Sequence, residues 1–393
     1  MSKQSDITSI VVTKLKEIVP NQDFVALHEP LFRGNEWSYV KECLDTSWVS
    51  SVGKYVDLFE RKLAEYTGTD YAIAVSNGTA ALHAALIVAG VEAGDEVIMP
   101  TLSFVATANA AAYIGAVPHF ADIEESTLGL DANKLDEHLA RITEIRSDGC
   151  YNKNTGYRIK AVVPMHTFGH PVDLDPLVEI CKHYKLVLVE DAAESMGSFY
   201  KGRHTGNWGL LSAVSFNGNK IVTTGGGGAI LTNDASLAKQ VKHLTTTAKV
   251  PHKWEFVHDR IGFNYRMPNL NAALGCAQLE QLPDFIEKKR AVAQVYQQAF
   301  AGIEGVVCFK ETGFAQSNYW LNALLLHESH ASCRDDILGQ TNSQGIMTRP
   351  AWNPLHTLDM FVNCPSMDLS MAVSVCNRLI NIPSSACLGD EYA

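Results

Sequence analysis

Between residues 71 and 232, short apolar runs alternate with stretches whose apolar positions recur at helical spacing. YAIAV (71–75) precedes an alanine-rich helical stretch from Thr79, and EVIM (96–99) precedes a second from about Ser103. VPHFA (117–121), IKAVVP (159–164) and KLVLVE (185–190) follow, each separated by further helical patterns. LSAVSF (211–216) and GAILT (228–232) end the series, with only a glycine-rich loop between them. Strands alternating with helices predict a largely parallel sheet covered on both faces. The last two runs lack a crossover helix, so one of them is expected to run antiparallel. From about Asn269 a helical pattern carries the chain to Gly302, and the remainder reads as a smaller α+β unit. The expected organisation is an N-terminal arm (1–30), a large α/β domain (31–268) with a mostly parallel seven-stranded sheet, and a connecting helix with a small C-terminal domain (269–393).

Composition narrows the function. The 393 residues are 46% hydrophobic, enough to bury a full core. No apolar run approaches the roughly 20 residues of a membrane span, and the N-terminus mixes charge into its apolar stretch without a signal-peptide cleavage pattern. Nine cysteines, with no C-x-x-C pair, suggest free thiols in a reducing cytoplasm, not disulfides or a zinc site. A net charge of −11 without a basic block argues against a nucleic-acid partner.

Three stretches fall at the carboxyl ends of predicted strands, where ligands gather in open α/β sheets. In SNGTAALHAAL (76–86), Asn77 and Gly78 make a turn and Thr79 opens a helix whose free N–H groups suit a phosphate. An ordinary N-cap by Thr79 explains the same residues. In VEDAAESMG (189–197), Asp191 emerges at a strand end with Glu194 three residues on. The two suit a general acid/base pair, a partner for a protonated ring nitrogen, or a simple turn. In VSFNGNKIVTTGGGGAILT (214–232), Lys220 stands between a strand and four glycines. A strand follows the glycines, so neither a P-loop nor a dinucleotide fingerprint fits; the run reads as a tight reversal.

Together these stretches offer a phosphate anchor, a carboxylate for a cationic ring nitrogen and an amine for a carbonyl carbon. Pyridoxal 5′-phosphate requires all three. Phe104, four residues past Pro100, supplies an aromatic face to stack on its ring, or else packs in the core.

From about Pro30 to Pro383 the sequence resembles the DegT/DnrJ/EryC1/StrS sugar aminotransferases, of the aspartate-aminotransferase fold type I. The marks are WVSSVGKYVDLFERKLAEYTG, SNGTAALHAAL, PTLSFVATANA, VEDAAESMGS, SFNGNKIVTTGGGGAI, GFNYRMPNLNAALGCAQL and NIPSS, in that order. SNYWLNALLL and RPAWNPLH look most like the LegC-like branch. The resemblance implies Lys220 as the internal-aldimine lysine, Asp191 at the pyridine nitrogen, Phe104 on the ring, and Gly78, Thr79 and Ser215 at the phosphate. It puts Glu194 beside the ring's 3-oxygen, where other members place Gln or His. It also implies that Asn264, with Arg266, reaches the neighbouring subunit's site in a homodimer with composite active sites. The GGGG at 225–228 departs from the common G-E-G-G, outside the core chemistry.

The reaction so implied takes an amino group from L-glutamate, with pyridoxamine 5′-phosphate as the intermediate form, and delivers it to a nucleotide-linked keto sugar. Trp48, Ser50, His252, Trp254, Asn318, Tyr319, Trp320, Arg349 and His356 are candidate sugar-nucleotide contacts, each equally readable as a core or surface residue. The branch implies C4 of UDP-2-acetamido-2,6-dideoxy-4-keto-glucose as acceptor, on routes to legionaminic acid or bacillosamine in bacterial surface sugars. A GDP- or dTDP-linked 3- or 4-keto-6-deoxy sugar is the alternative. A sugar dehydratase of this fold would carry histidine in place of Lys220, and a non-catalytic sensor or scaffold would not need all the cofactor groups.

Overall fold

The computed structural model describes residues 3–392. Seven strands form the main sheet: β1 (Tyr71–Val75), β2 (Glu96–Pro100), β3 (Val117–Ala121), β4 (Arg158–Val162), β5 (Val187–Asp191), β6 (Leu211–Ser215) and β7 (Gly228–Thr232). Their order across the sheet is β1-β7-β6-β5-β4-β2-β3, and a hairpin at 143–152 adds two further strands beside β4. Neighbours from β6 to β3 pair in parallel, whereas β7 is antiparallel to both β1 and β6. The missing crossover therefore reverses β7, as the pattern predicts.

The two-residue period of a strand decides what each face meets. Ile73 and Val75 of β1 join one core with α4 (Gly78–Val88), α5 (Val105–Ile114) and α8 (Ala235–Thr245). Ala72 and Ala74, between them, face α3 (Lys54–Thr67) and α9 (Asn269–Ala299). Helices α6 (Ala132–Ile142) and α7 (Leu174–His183) cover the β2–β5 side. Of the remaining large helices, α2 (Glu36–Asp45) lies against α9.

Helix α9 runs 31 residues, with its first half in the large unit's core and Val292 and Tyr296 in the small unit's. There β8 (Val306–Cys308), β9 (Asn322–Leu326), β10 (Arg349–Pro350) and β11 (Leu379–Ile382) form an antiparallel sheet in the order β8-β9-β11-β10. The segment read from sequence as an arm is built into this unit: Ile7, Val11 and Leu15 of α1 (Lys3–Ile18) pack against Leu324, Ile380 and Ile337 of α10 (Arg334–Ser343). A last short helix, α11 (Ser370–Cys376), joins a core that Leu102 and Phe168 of the large unit share with Trp320 and Leu325. Among the described residues no two cysteines are joined by a disulfide. Among the described residues no helix is long and apolar enough to cross a membrane.

Candidate active site

The carboxyl ends of β1, β5 and β6 open into a cavity of 320 Å³ that brings Gly78, Thr79, Phe104, Asp191, Glu194, Ser215 and Lys220 together. A larger cavity of 620 Å³, lined by Trp48, Lys54 and Arg266, lies elsewhere and contains none of these groups. Volume and chemistry thus point to different places; convergent reactive groups decide for the smaller one.

At the end of β1, Asn77 caps α4, its Oδ1 accepting from the Ala80 N–H at 2.8 Å. The cap is Asn77 and not Thr79, whose hydroxyl makes no hydrogen bond within the described residues. The first N–H groups of the helix and this hydroxyl are therefore available to an anion. Two glycines create the space: a Cβ on Gly78 would stand 2.9 Å from Ser215 Cβ, and one on Gly228 would stand 2.5 Å from the Asn77 carbonyl carbon. The glycine run lets antiparallel β7 press against the cap of α4.

Asp191 ends β5 at the cavity floor. Thr107 Oγ1, one turn into α5 beyond Phe104, donates to its Oδ2 at 2.6 Å, and the Ala193 N–H donates to Oδ1 at 3.2 Å. Burial pushes this carboxyl above its ordinary value, against the pull of those two bonds and of Lys220. Among the described residues Asp191 has no ion-pair partner of its own. Its strand neighbour Glu190 points to the opposite face. There the Gly206, Trp208 and Gly209 N–H groups and His166 Nε2 bind it at 2.7–3.0 Å, so it serves structure.

Lys220 Nζ lies 3.1 Å from Glu194 Oε1 and 3.8 Å from the centre of the Trp320 ring, with 13% of its side chain exposed. The other oxygen of Glu194 accepts the Phe168 N–H at 2.9 Å. Burial drives the Glu194 carboxyl up to about 7, partly offset by the Lys220 ammonium and the Phe168 N–H. Trp320 is fixed in turn, its Nε1 donating to Asn219 O at 2.7 Å. The pairing of Glu194 with Lys220 sets aside a carboxylate pair of the glycosidase kind.

The residues fit pyridoxal 5′-phosphate. A buried carboxylate without a cation matches a ring nitrogen that can be protonated. A nearby amine matches the aldehyde carbon, and a glycine-lined helix start with two hydroxyls matches the phosphate. The DegT/DnrJ/EryC1/StrS aminotransferase family profile matches residues 31–393. The chain belongs to that family. The GDP-perosamine synthase of Escherichia coli O157:H7 is 37% identical over 368 residues, covering 94% of this chain and 95% of that protein. The enzyme of the same name from Caulobacter vibrioides is 36% identical over 363 residues, 92% and 93% of the two chains. Among solved structures, Helicobacter pylori PseC, an aminotransferase of pseudoaminic acid biosynthesis, superposes with a TM-score of 0.85 at 26% identity, over 94% of this chain and 96% of PseC. The aminotransferase TlmJ of Streptoalloteichus hindustanus gives 0.84 at 28%, over 94% and 95%. This chain is a fold type I, pyridoxal-phosphate-dependent nucleotide-sugar aminotransferase.

The substrate candidates scatter in this DegT-family chain. Trp320 belongs to the cavity wall, while Arg349 lines a neighbouring cavity that shares Trp320, Trp352 and Asn219. His356 Nδ1 meets Thr101 Oγ1 at 2.8 Å, just past the end of β2. Tyr319 does not reach the site: it is buried, its hydroxyl accepting from Gln297 Nε2 and the Glu311 N–H, so it packs the small unit. Asn318 is likewise structural, donating through Nδ2 to the Glu194 and Met196 carbonyls at 2.9 Å and so holding the loop that carries Glu194. Trp48, Ser50, His252, Trp254 and Asn264 stay outside the Lys220 cavity of their own chain. The Trp48 and Ser50 carbonyls instead accept from Asn269. Sequence reading passed over Thr107, Met165 and Trp352, all of which touch the site or its partners. Thr107 and Trp352 stand inside the motifs marked for Phe104 and Arg349, and Met165 directly follows the strand run at 159–164.

Proposed function

We propose that this enzyme moves the amino group of L-glutamate to the C4 keto carbon of a GDP-linked keto-6-deoxy sugar, in the making of a bacterial surface sugar. The observation that carries the reading is the near full-length match to two GDP-perosamine synthases. It turns the choice of nucleotide away from the UDP sugar that the LegC-like motifs suggested and toward the GDP alternative.

Bound pyridoxal 5′-phosphate supplies the carbonyl that takes up the amino group and a protonated ring that absorbs electrons as a C–H bond breaks. Everything else falls to the chain. Gly78, Thr79 and Ser215 anchor the phosphate through backbone and hydroxyl donors. Asp191, ionised, holds the proton on the ring nitrogen, and Thr107 keeps it ionised. Phe104, on the cavity wall, would stack on the ring. Lys220 Nζ would supply the amine that holds the cofactor's aldehyde carbon and the base that moves a proton there. Glu194 holds the Lys220 ammonium, and the Phe168 N–H fixes Glu194.

A homodimer completes the site. Asn264 is exposed, at the end of a loop bearing Trp254, Phe256 and Ile261, which are 69%, 79% and 87% exposed. Large apolar side chains so bare mark a contact surface, and its second copy would bring Asn264 and Arg266 to the phosphate. The test is a product assay by mass spectrometry, with glutamate as donor and GDP-, UDP- and dTDP-linked 4-keto-6-deoxy sugars offered in parallel. Amination of the GDP sugar at the highest kcat/KM supports the reading. A preference for the UDP or dTDP sugar removes it and leaves the aminotransferase assignment standing.

A further inference from the structure

Behind the Trp320 wall lies a second cavity of 430 Å³, between the two units. Trp320, Trp352 and Asn219 line both spaces, so this annex begins one indole ring away from Lys220 Nζ. Its charge is one-sided. Arg349 is a lining residue and no carboxylate is. Arg349 Nη1 is held by Asn342 Oδ1 and Thr348 O, both at 2.8 Å, while its other guanidinium nitrogens make no hydrogen bond among the described residues. Two buried polar atoms on the annex wall, Asn381 Oδ1 and His28 Nδ1, also lack partners. The His28 pKa is lowered well below its ordinary value, first by burial and then by Lys289 and Lys220.

Buried polar atoms without partners are uncommon in a folded protein and call for an explanation. From these facts we infer that the annex is the seat of the amino donor's distal carboxylate, with Arg349 as its cation and Asn381 as its polar wall. This rests on the aminotransferase reading above and adds to it the place of the donor. An anion that meets a guanidinium in a fork is best matched by a planar carboxylate. Leu27 and Met347 give the annex apolar flanks suited to the methylenes of a five-carbon amino acid. An amide half-turn lets Asn381 present either its oxygen or its NH2 to the ligand. The donor's amine would then point past Trp320 toward Lys220. The nucleotide's diphosphate is the competing anion, but it must enter with a whole nucleoside, and it has no need to sit beside the amine being donated.

The probe is glutarate, which has both carboxylates of the donor's product side but no amine or keto group to react. The full-length, cofactor-loaded protein is titrated with glutarate by calorimetry, with tryptophan fluorescence as a second readout because Trp320 and Trp352 line the annex. Saturable binding is expected, at least tenfold weaker in Arg349→Gln and partly restored in Arg349→Lys. Arg146→Gln, on the remote hairpin, serves as the charge-matched control and should bind as the parent does. If Arg349→Gln does not fold, Asn381→Asp, which sets a like charge in the annex, is expected to weaken glutarate by a similar factor. Glutarate binding indifferent to these changes overturns the inference. So does displacement of glutarate by pyrophosphate or GDP with the same Arg349 dependence, which assigns the annex to the nucleotide. Neither outcome depends on which keto sugar the enzyme aminates.

Discussion

Replacing Thr107 by valine removes one hydroxyl from the site and keeps nearly the same shape. That hydroxyl donates to Asp191 Oδ2 at 2.6 Å, with both residues at 2% exposure or less. A hydrogen bond to a charged group contributes about 1.5–3 kcal/mol. At about 1.36 kcal/mol per pKa unit, its loss raises the Asp191 pKa by about one to two units. The carboxylate then holds the proton on the cofactor's ring nitrogen less firmly, so kcat should fall about ten- to a hundredfold. KM for glutamate should change less, because Thr107 is buried beneath Asp191. The assay is steady-state turnover across pH with the thermal midpoint measured alongside. The acid limb of kcat should move upward by about one unit. A Thr107→Val enzyme with kcat within twofold of the parent and an unmoved acid limb refutes the reasoning: either Asp191 is not tuned by Thr107 or it is not the ring's partner.

Three further outcomes are expected. Lys220→Ala should fold and bind cofactor noncovalently yet lose about 10³-fold or more in turnover; substantial residual activity would remove Lys220 from the mechanism. Gly228→Ala forces a Cβ against the Asn77 carbonyl carbon, so it should cost about 1–3 kcal/mol of stability and weaken cofactor binding. An unchanged thermal midpoint and cofactor Kd would show that β7 need not approach α4 so closely. Glu194 titrates at about 7 in the folded chain against an ordinary 4.5, so the native state binds this proton more tightly than the unfolded one. In cofactor-free protein its contribution is therefore fully present below pH 4.5 and is lost as pH rises to about 7. The thermal midpoint of Glu194→Gln relative to the parent should rise across that window and level off above it; a pH-independent difference contradicts the burial argument.

Chain order alone determined the parallel sheet, the reversal of its last strand and the long helix from Asn269, because hydrophobic period and missing crossovers are local properties. The same holds for the reactive groups that close a strand: Asp191 and Ser215 end β5 and β6, and Asn77 and Gly78 open α4, wherever the rest of the chain goes. Local reading offered Thr79 as the cap and put Asn77 in the turn, although both residue types cap helices. The actual backbone direction at Asn77 settled it. Partners far apart in sequence were beyond it as well. Thr107 meets Asp191 across 84 positions, and Asn219 meets Trp320 across 101. Nothing in the flanking residues of either partner encodes the other, because such contacts exist only after the sheet has stacked and the small unit has docked. Tyr319 and Trp320 show the same limit within one motif. They are adjacent in sequence, yet the packing of the small unit sends one ring into its own core and lays the other over Lys220.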